Sequence, residues 1–244
     1  STFGGGVKAT KVGGGLQTRS LRLETADGVE YVFRPVQKTS QVVSDRFRHT
    51  IVAWGFRHIG SASHPGAAVA AAPMMEAAGI LHPTPQFVVM GDDARLGEFR
   101  TEFSGLPGTI EQYPNVPKGT RGFGNALEII DADAFLDRIN KNPDAQPDAR
   151  LMLKARLVDL LLGDNDRHPD QWKWARMSDD IHVPYKPIAR DRDKVFVSYG
   201  GFLIKLARLG FPSLVRFRDK YTDPAALFDN TRNFDRRTLG SLNR

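Results

Sequence analysis

The chain has 244 residues, of which 41% are hydrophobic and 25% charged, and its formal net charge is +6. This composition is typical of a soluble globular protein, and the length predicts one two-lobed domain or two small ones. The sequence contains no cysteine, which excludes disulfides, thiolate chemistry and cysteine zinc sites. No apolar run approaches the roughly eighteen residues that a membrane-spanning helix needs.

The start of the chain predicts either a removed leader or a piece of a longer polypeptide, and the piece is favoured. The first residue is Ser1, no secretory leader pattern follows it, and residues 2–6 are typical of an inter-domain linker.

The first forty residues predict an antiparallel sheet. Residues 7–12 form a short strand pattern that ends at the glycine triplet of residues 13–15, and residues 17–24 alternate between apolar and polar. Asp27-Gly28 favours a type I′ hairpin turn, and residues 29–36 are rich in β-branched and aromatic side chains.

This succession of strand, glycine turn, strand, tight turn and strand is the order of the small lobe of a protein kinase. In that lobe, backbone N–H groups of the glycine loop approach the nucleotide phosphates, and a cation on the third strand pairs with them. The candidate nucleotide-binding residues here are Gly13, Gly14, Gly15 and Gln17, with Arg34 or Lys38 as the cation. The alternative is a merely flexible glycine turn and a surface arginine.

The next segment is helical in pattern and supplies a candidate partner for that cation. Residues 41–80 predict helix, with Glu76 as the acid that would pair with the cation, or else a solvated helix residue. Residues 86–90 predict a strand, and residues 99–103 and 109–113 predict the strand and hinge that link two lobes.

The segment with the most chemical information follows an apolar helix. Residues 151–162 have strong helical periodicity, and Gly163 ends the helix. The separation of Asp166 and Gln171 matches base and amide in the kinase pattern H-R-D-x-x-x-x-N, with Gln in place of Asn. Asp166 would orient the acceptor hydroxyl, and Gln171 would hold a metal.

Two further residues of this loop are catalytic candidates. Arg167 or His168 would support the loop or neutralise charge, and a structural role for His168 is equally open. Residues 164–166 also suit a simple turn cluster.

A pair of aspartates follows after two predicted strands, at residues 171–177 and 183–188. Asp191 and Asp193 form a D-x-D in the order in which a kinase supplies its later metal ligand. A solvated strand end would explain the same pair.

Together these segments resemble the atypical kinase-like superfamily, most closely the CotH-type spore-coat kinases. That family shows an N-x-D-R-x-x-x-N-like loop and then D-x-D-x-x-F, which correspond here to residues 165–171 and to Asp191, Asp193 and Phe196. The resemblance implies an α+β kinase-like fold, with a small antiparallel-sheet N-lobe at residues 1–113 and a mainly helical C-lobe at residues 114–244. It also implies ATP, Mg²⁺ or Mn²⁺, and an unknown protein, lipid or small-molecule acceptor.

The glycine-rich segment and residues 187–193 are also similar to a module of large bacterial surface proteins. This similarity implies a periplasmic or cell-surface location, with a cytoplasmic one still possible.

Two other functions remain open, and a third is disfavoured. A pseudokinase that binds nucleotide without transfer is favoured by Gln171, by Arg34 and by the lack of D-F-G. A metal-dependent glycosyltransferase would use Asp191 and Asp193 but would not require Asp166 and Gln171. The sequence lacks a recognisable nucleic-acid-binding motif, which disfavours a nucleic-acid partner.

Overall fold

The computed structural model describes residues 5–13, 19–36, 64–197, 215–218, 220–221 and 223–243. The described residues within 1–60 and 83–123 form one compact unit, and those within 61–82 and 124–244 form a second. The boundary therefore differs from the one predicted between residues 113 and 114. Residues 64–82 belong with the second unit because their helix packs on that unit's core.

The chain is α+β. Its helices and strands in chain order are β1 (Val7–Gly13), β2 (Ser20–Thr25), β3 (Glu30–Pro35), α1 (Ala67–Ala77), β4 (Gln86–Val89), α2 (Arg100–Phe103), β5 (Pro107–Gln112), β6 (Glu128–Asp131), α3 (Ala132–Lys141), α4 (Ala149–Leu162), β7 (Trp172–Arg176), β8 (Lys186–Ala189) and α5 (Arg232–Leu239). Short 3₁₀ helices lie at Ala94–Phe99, Phe123–Asn125, Pro169–Gln171, Pro224–Thr231 and Gly240–Asn243. Among the described residues, no helix is long and apolar enough to cross a membrane.

The first unit contains the predicted antiparallel sheet. Its five strands have the order β1-β2-β3-β5-β4, and the inward-facing Leu21 and Leu23 of β2 pack with Phe33 of β3. The turn between β2 and β3 differs from the prediction of a type I′ turn, which needs a positive φ at both central residues. Gly28 has a φ of 84°, whereas Asp27 does not have a positive φ.

Residues 99–103 are helical, so the prediction of a strand there is wrong. The side chain of Asp93 accepts a hydrogen bond from the backbone N–H of Arg95 (2.9 Å) and starts a 3₁₀ segment that is broken at Gly97, which has a φ of 56° and a ψ of −130°, before α2 begins at Arg100. Leu96, Phe99 and Phe103 pack on the sheet core.

The second unit contains a three-stranded antiparallel sheet, in the order β6-β7-β8, covered by helices. Its core is aromatic: Phe135 of α3 stacks on Trp174 of β7 with ring centroids 4.0 Å apart, and Phe234 of α5 packs beside them. The predicted helix and the two following strands are present as α4, β7 and β8, within a few residues of the expected bounds. Strand β6 and helix α3 were not anticipated.

Close packing in the first unit makes Gly108 of β5 a sensitive position. A Cβ atom at Gly108 would lie 2.5 Å from the carbonyl oxygen of Arg34 and 2.5 Å from the ring of Phe33. We expect Gly108→Ala to lower the free energy of unfolding by about 1–3 kcal/mol through overpacking, as measured by chemical denaturation. Gly91→Ala is the control, since a Cβ there meets nothing within 4 Å, and it should change stability by less than about 0.5 kcal/mol. Equal stability of the two variants would contradict this packing.

Candidate functional site

The candidate loop begins where helix α4 ends. Gly163 has a φ of 65°, its N–H donates to the carbonyl of Leu160 (3.2 Å), and the N–H of Asp164 donates to the carbonyl of Asp159 (2.9 Å). This pair of bonds is a Schellman motif, in which glycine adopts the left-handed conformation at low cost. The motif fixes the direction in which residues 164–171 leave the helix.

Asp166 is accessible and lies among other charged groups. Its side chain is 40% exposed, so it can reach a substrate. Partial burial raises the pKa of Asp166. The negative charges of Asp193 and Asp191 raise it further, whereas His168 and Lys194 lower it. Asp166 therefore lies near enough to Asp191 and Asp193 for their charges to act on its pKa.

Arg167 is a buried support of the loop. Its side chain is fully buried and lies over the ring of Trp172, with 4.5 Å from the guanidinium carbon to the ring centroid. Its Nη1 donates to the carbonyl oxygen of Arg190 (2.5 Å). Burial lowers the pKa of Arg167 to about 10, so the side chain stays charged at neutral pH. Of the two roles considered for Arg167, this position favours support over contact with substrate.

His168 and Gln171 contact each other through their side chains. The amide nitrogen of Gln171 lies 3.1 Å from Nε2 of His168. A hydrogen bond from this amide nitrogen uses the tautomer in which Nε2 accepts and Nδ1, 3.6 Å from a carboxylate oxygen of Asp170, carries the proton. In that arrangement the amide oxygen of Gln171, the atom suited to a metal, points away from the ring.

The D-x-D segment follows β8 directly and is bonded to the loop through its backbone. The N–H of Arg190 donates to the carbonyl of Gln171 (3.0 Å), and the N–H of Phe196 donates to the carbonyl of Leu162 (3.0 Å). Asp191 and Phe196 have φ angles of 53° and 58°, which are unusual for residues other than glycine. Such backbone persists where the surroundings over-determine it, and it is concentrated at functional sites.

Beneath the loop lies a network of buried charges that sequence reasoning missed. Its members are Arg156, Asp159, Asp164, Arg167, Arg192 and Asp235. Arg156 and Asp159 lie three residues apart on the buried face of α4, with Nη1 and Oδ2 2.5 Å apart. Charged residues on the inward face of an otherwise apolar helix were the available signal, since they are almost never buried unless paired.

The two network aspartates differ in their ionisation. Although burial acts to raise it, the pKa of Asp159 lies below its ordinary value because Arg192, Arg167 and Arg156 surround the carboxylate. Burial raises the pKa of Asp164, and the nearby guanidinium groups of Arg167 and Arg192 only partly offset that effect.

The loop and the D-x-D segment contain a partial set of donors for a divalent metal. Among the described residues, no group of three or more His, Asp or Glu side chains is close enough to hold an ion unaided. Mg²⁺ is usually held by only one or two carboxylates together with substrate phosphates. Asp191, Asp193 and the amide oxygen of Gln171 could supply such a partial set.

The predicted nucleotide-binding residues of the first unit are only partly described. Gly14, Gly15, Gln17 and Lys38 lie outside the described residues. Gly13 ends β1 opposite Ser20, where an added Cβ would lie 3.3 Å from the hydroxyl oxygen of Ser20.

Arg34, the candidate strand cation, forms an ion pair within its own sheet. Its partner is Glu111 of β5, which lies diagonally across from it on the adjacent strand. Glu76 is an exposed residue of α1 in the second unit. The pairing of Arg34 with Glu76 stays a prediction, and the acidic partner seen in the structure is a different residue.

No protein-family model matches this chain, and no curated protein matches it. Among solved structures, one of WaaP in complex with acyl carrier protein is similar at 16% sequence identity, over 95% of this chain and 80% of that one, with a TM-score of 0.32. A TM-score this low establishes neither a shared fold nor a shared function.

Proposed function

We propose that the chain is a kinase-like phosphotransferase domain that uses ATP with Mg²⁺ or Mn²⁺. The observation that carries the proposal is the bonding of two segments of the second unit. The loop with Asp166 and Gln171 and the segment with Asp191 and Asp193 are joined by the Arg190–Gln171 backbone bond. Phosphoryl transfer of the kinase type needs these groups, in this order and close together.

In the proposed reaction Asp166 orients the acceptor hydroxyl and accepts its proton as the phosphoryl group is transferred. Its partial exposure allows contact with an acceptor, and its raised pKa favours proton uptake. Asp191 or Asp193, with Gln171, would hold the metal ion, which when bound neutralises charge on the nucleotide phosphates. His168 sets the orientation of the Gln171 amide.

The first unit has the chain order that the proposal requires: β1 ending in glycine, β2, a glycine turn, and β3 carrying Arg34. We propose that Gly13, Gly14, Gly15 and Gln17 contact the phosphates, with Arg34 or Lys38 as the cation. A second candidate is a pseudokinase, because arginine at position 34 and glutamine at position 171 stand where a kinase has lysine and asparagine. A glycosyltransferase would not require Asp166 and Gln171, so that alternative does not account for the loop.

The direct test is incubation with labelled ATP and Mn²⁺, following hydrolysis and self-labelling. Transfer or hydrolysis above the level of buffer supports the enzyme. Nucleotide binding without turnover supports the pseudokinase, and the absence of both binding and turnover contradicts both proposals.

We expect Mn²⁺·ATP to stabilise the wild-type protein and to have little effect on Asp191→Asn/Asp193→Asn. A ligand at a hundredfold its Kd stabilises a native protein by about 2.7 kcal/mol, which corresponds to a rise in Tm of roughly 5 to 10 °C for a chain of this size. Loss of two carboxylates should remove the metal-dependent part of that rise, as measured by thermal unfolding with and without Mn²⁺.

A double variant with the same change of charge controls for net electrostatics. Asp179 and Asp180 are exposed in a turn of the same unit, and Asp179→Asn/Asp180→Asn should keep the full metal-dependent shift. If both double variants retain the shift, the D-x-D has no metal role.

A further inference from the structure

The residue between the two D-x-D aspartates has a buried side chain. The Arg192 side chain is 6% exposed, whereas Asp191 and Asp193 on either side are only partly buried. Burial of a guanidinium group is costly unless it is paired and hydrogen-bonded. The contacts of Arg192 therefore indicate what this position does.

Arg192 bonds two carboxylates at the end of helix α4. Its Nη1 contacts Oδ1 of Asp159 and lies 2.9 Å from Oδ2 of Asp164. The other oxygen of Asp164 accepts a hydrogen bond from the backbone N–H of Asp166 (3.3 Å). A single carboxylate thus connects the backbone of the proposed catalytic base to the residue between the proposed metal ligands.

A second connection also joins the loop to the D-x-D segment. Arg167, the neighbour of Asp166, donates to the carbonyl of Arg190, the neighbour of Asp191. Between these two connections Asp191 has its left-handed backbone conformation, with a φ of 53°. A strained residue of this kind keeps its conformation only when its flanks are held.

We propose that Arg192 is a positioning residue that fixes Asp191 and Asp193 relative to Asp166, an inference that rests on the proposed metal–nucleotide site. Arg192 does not contact substrate. It acts through the Asp159 and Asp164 carboxylates, which anchor the D-x-D segment to the end of α4. Both contacts are made by the terminal Nη1, whereas Nε and Nη2 have no hydrogen-bond partner among the described residues. The shorter side chain of lysine therefore withdraws the one group that joins the two carboxylates.

The chain contains a matched control in Arg156. Its side chain is 4% exposed, and it also bonds Asp159. Its remaining hydrogen bonds are to a different part of the chain, namely to the Thr231 hydroxyl (2.8 Å) and the Asp235 carboxylate (3.1 Å). Arg156→Lys therefore damages the same buried network without loosening the D-x-D segment.

The test compares the affinity of Arg192→Lys and Arg156→Lys for Mn²⁺·ATP, measured by electron paramagnetic resonance well below their melting temperatures. Loss of an outer support of a metal ligand typically weakens metal binding by about 10- to 100-fold, and we expect that loss in Arg192→Lys. Arg156→Lys should lose a comparable amount of Tm yet bind Mn²⁺·ATP within about threefold of the wild type. Unchanged affinity in Arg192→Lys, or equal losses in both variants, would overturn the proposal.

Hydrogen exchange without ligand separates this inference from the proposed function. Backbone amides of residues 190–194 should exchange at least tenfold faster in Arg192→Lys than in Arg156→Lys, and equal exchange would rule out the positioning role. If the wild type does not bind Mn²⁺·ATP, the proposed function fails, while the exchange comparison still decides whether Arg192 holds the segment. Asp164→Asn, which breaks the same connection from the other side, serves if Arg192→Lys does not fold.

Discussion

Asp166→Asn should lower phosphoryl transfer by about two to four orders of magnitude, while nucleotide affinity changes by no more than a few-fold. Asparagine keeps the shape of the side chain but cannot accept the proton of the acceptor hydroxyl. The backbone N–H of Asp166, which bonds Asp164, is untouched by the substitution, so the loop should keep its position. Single-turnover transfer and equilibrium ATP binding measure the two quantities separately.

The same change at an exposed aspartate of helix α3 provides the control. Asp137 lies outside the loop, and Asp137→Asn should leave transfer within a few-fold of the wild type. Catalysis by Asp166 is contradicted if wild-type protein binds ATP but transfers no faster than Asp166→Asn with any tested acceptor. The domain would then be a nucleotide-binding module without transfer.

Local sequence signals accounted for the elements that deliver the candidate site. The apolar periodicity of α4 and the position of Gly163 predicted where the loop begins, because helix periodicity and a left-handed glycine cap are local properties. The strands on either side of the Asp27-Gly28 turn were predictable for the same reason. Strand β6 was missed because it forms by pairing with β7, more than forty residues later in the chain.

Properties that depend on tertiary contacts were harder to predict from the sequence. Residues 99–103 contain two aromatic side chains, and the helix at Arg100–Phe103 depends on the packing of Phe103 on the sheet core. Likewise, no local pattern indicates that Arg34 pairs with Glu111, because the pairing depends on the register of β3 and β5.

Arg192 shows most clearly what the sequence alone does not predict. In the sequence it is the unassigned residue of a D-x-D, and a solvated arginine is the ordinary expectation. Its burial follows from carboxylates 33 and 28 residues earlier in the chain. The side chains proposed for the chemistry stay a prediction, and the structure adds the buried charges that contact the backbone beside them.

Asp159→Asn should be among the most destabilising single changes in the second unit. Three guanidinium groups, those of Arg156, Arg167 and Arg192, lie within ion-pair distance of this carboxylate, which is 1% exposed. Removing one partner of a buried ion pair leaves uncompensated charge and costs about 3–5 kcal/mol, which should lower Tm by on the order of 10 °C. Thermal and chemical unfolding of the variant and the wild type provide the measurement.

Acid titration and a surface control distinguish the buried network from a general effect of charge. Because the pKa of Asp159 is depressed in the folded protein, its contribution is present above the ordinary aspartate pKa of about 3.9 and is lost as the pH falls through the lower folded value. The difference in unfolding free energy between wild type and Asp159→Asn should therefore be largest near neutral pH and should decrease below pH 4.

Asp229 provides the surface control. It pairs with Arg232, with Oδ1 and Nη2 2.9 Å apart, and Asp229→Asn should cost less than about 1 kcal/mol of stability. A loss at Asp159 no larger than the loss at Asp229 would mean that the buried charges contribute little, and the anchoring of the D-x-D segment would then need another physical basis.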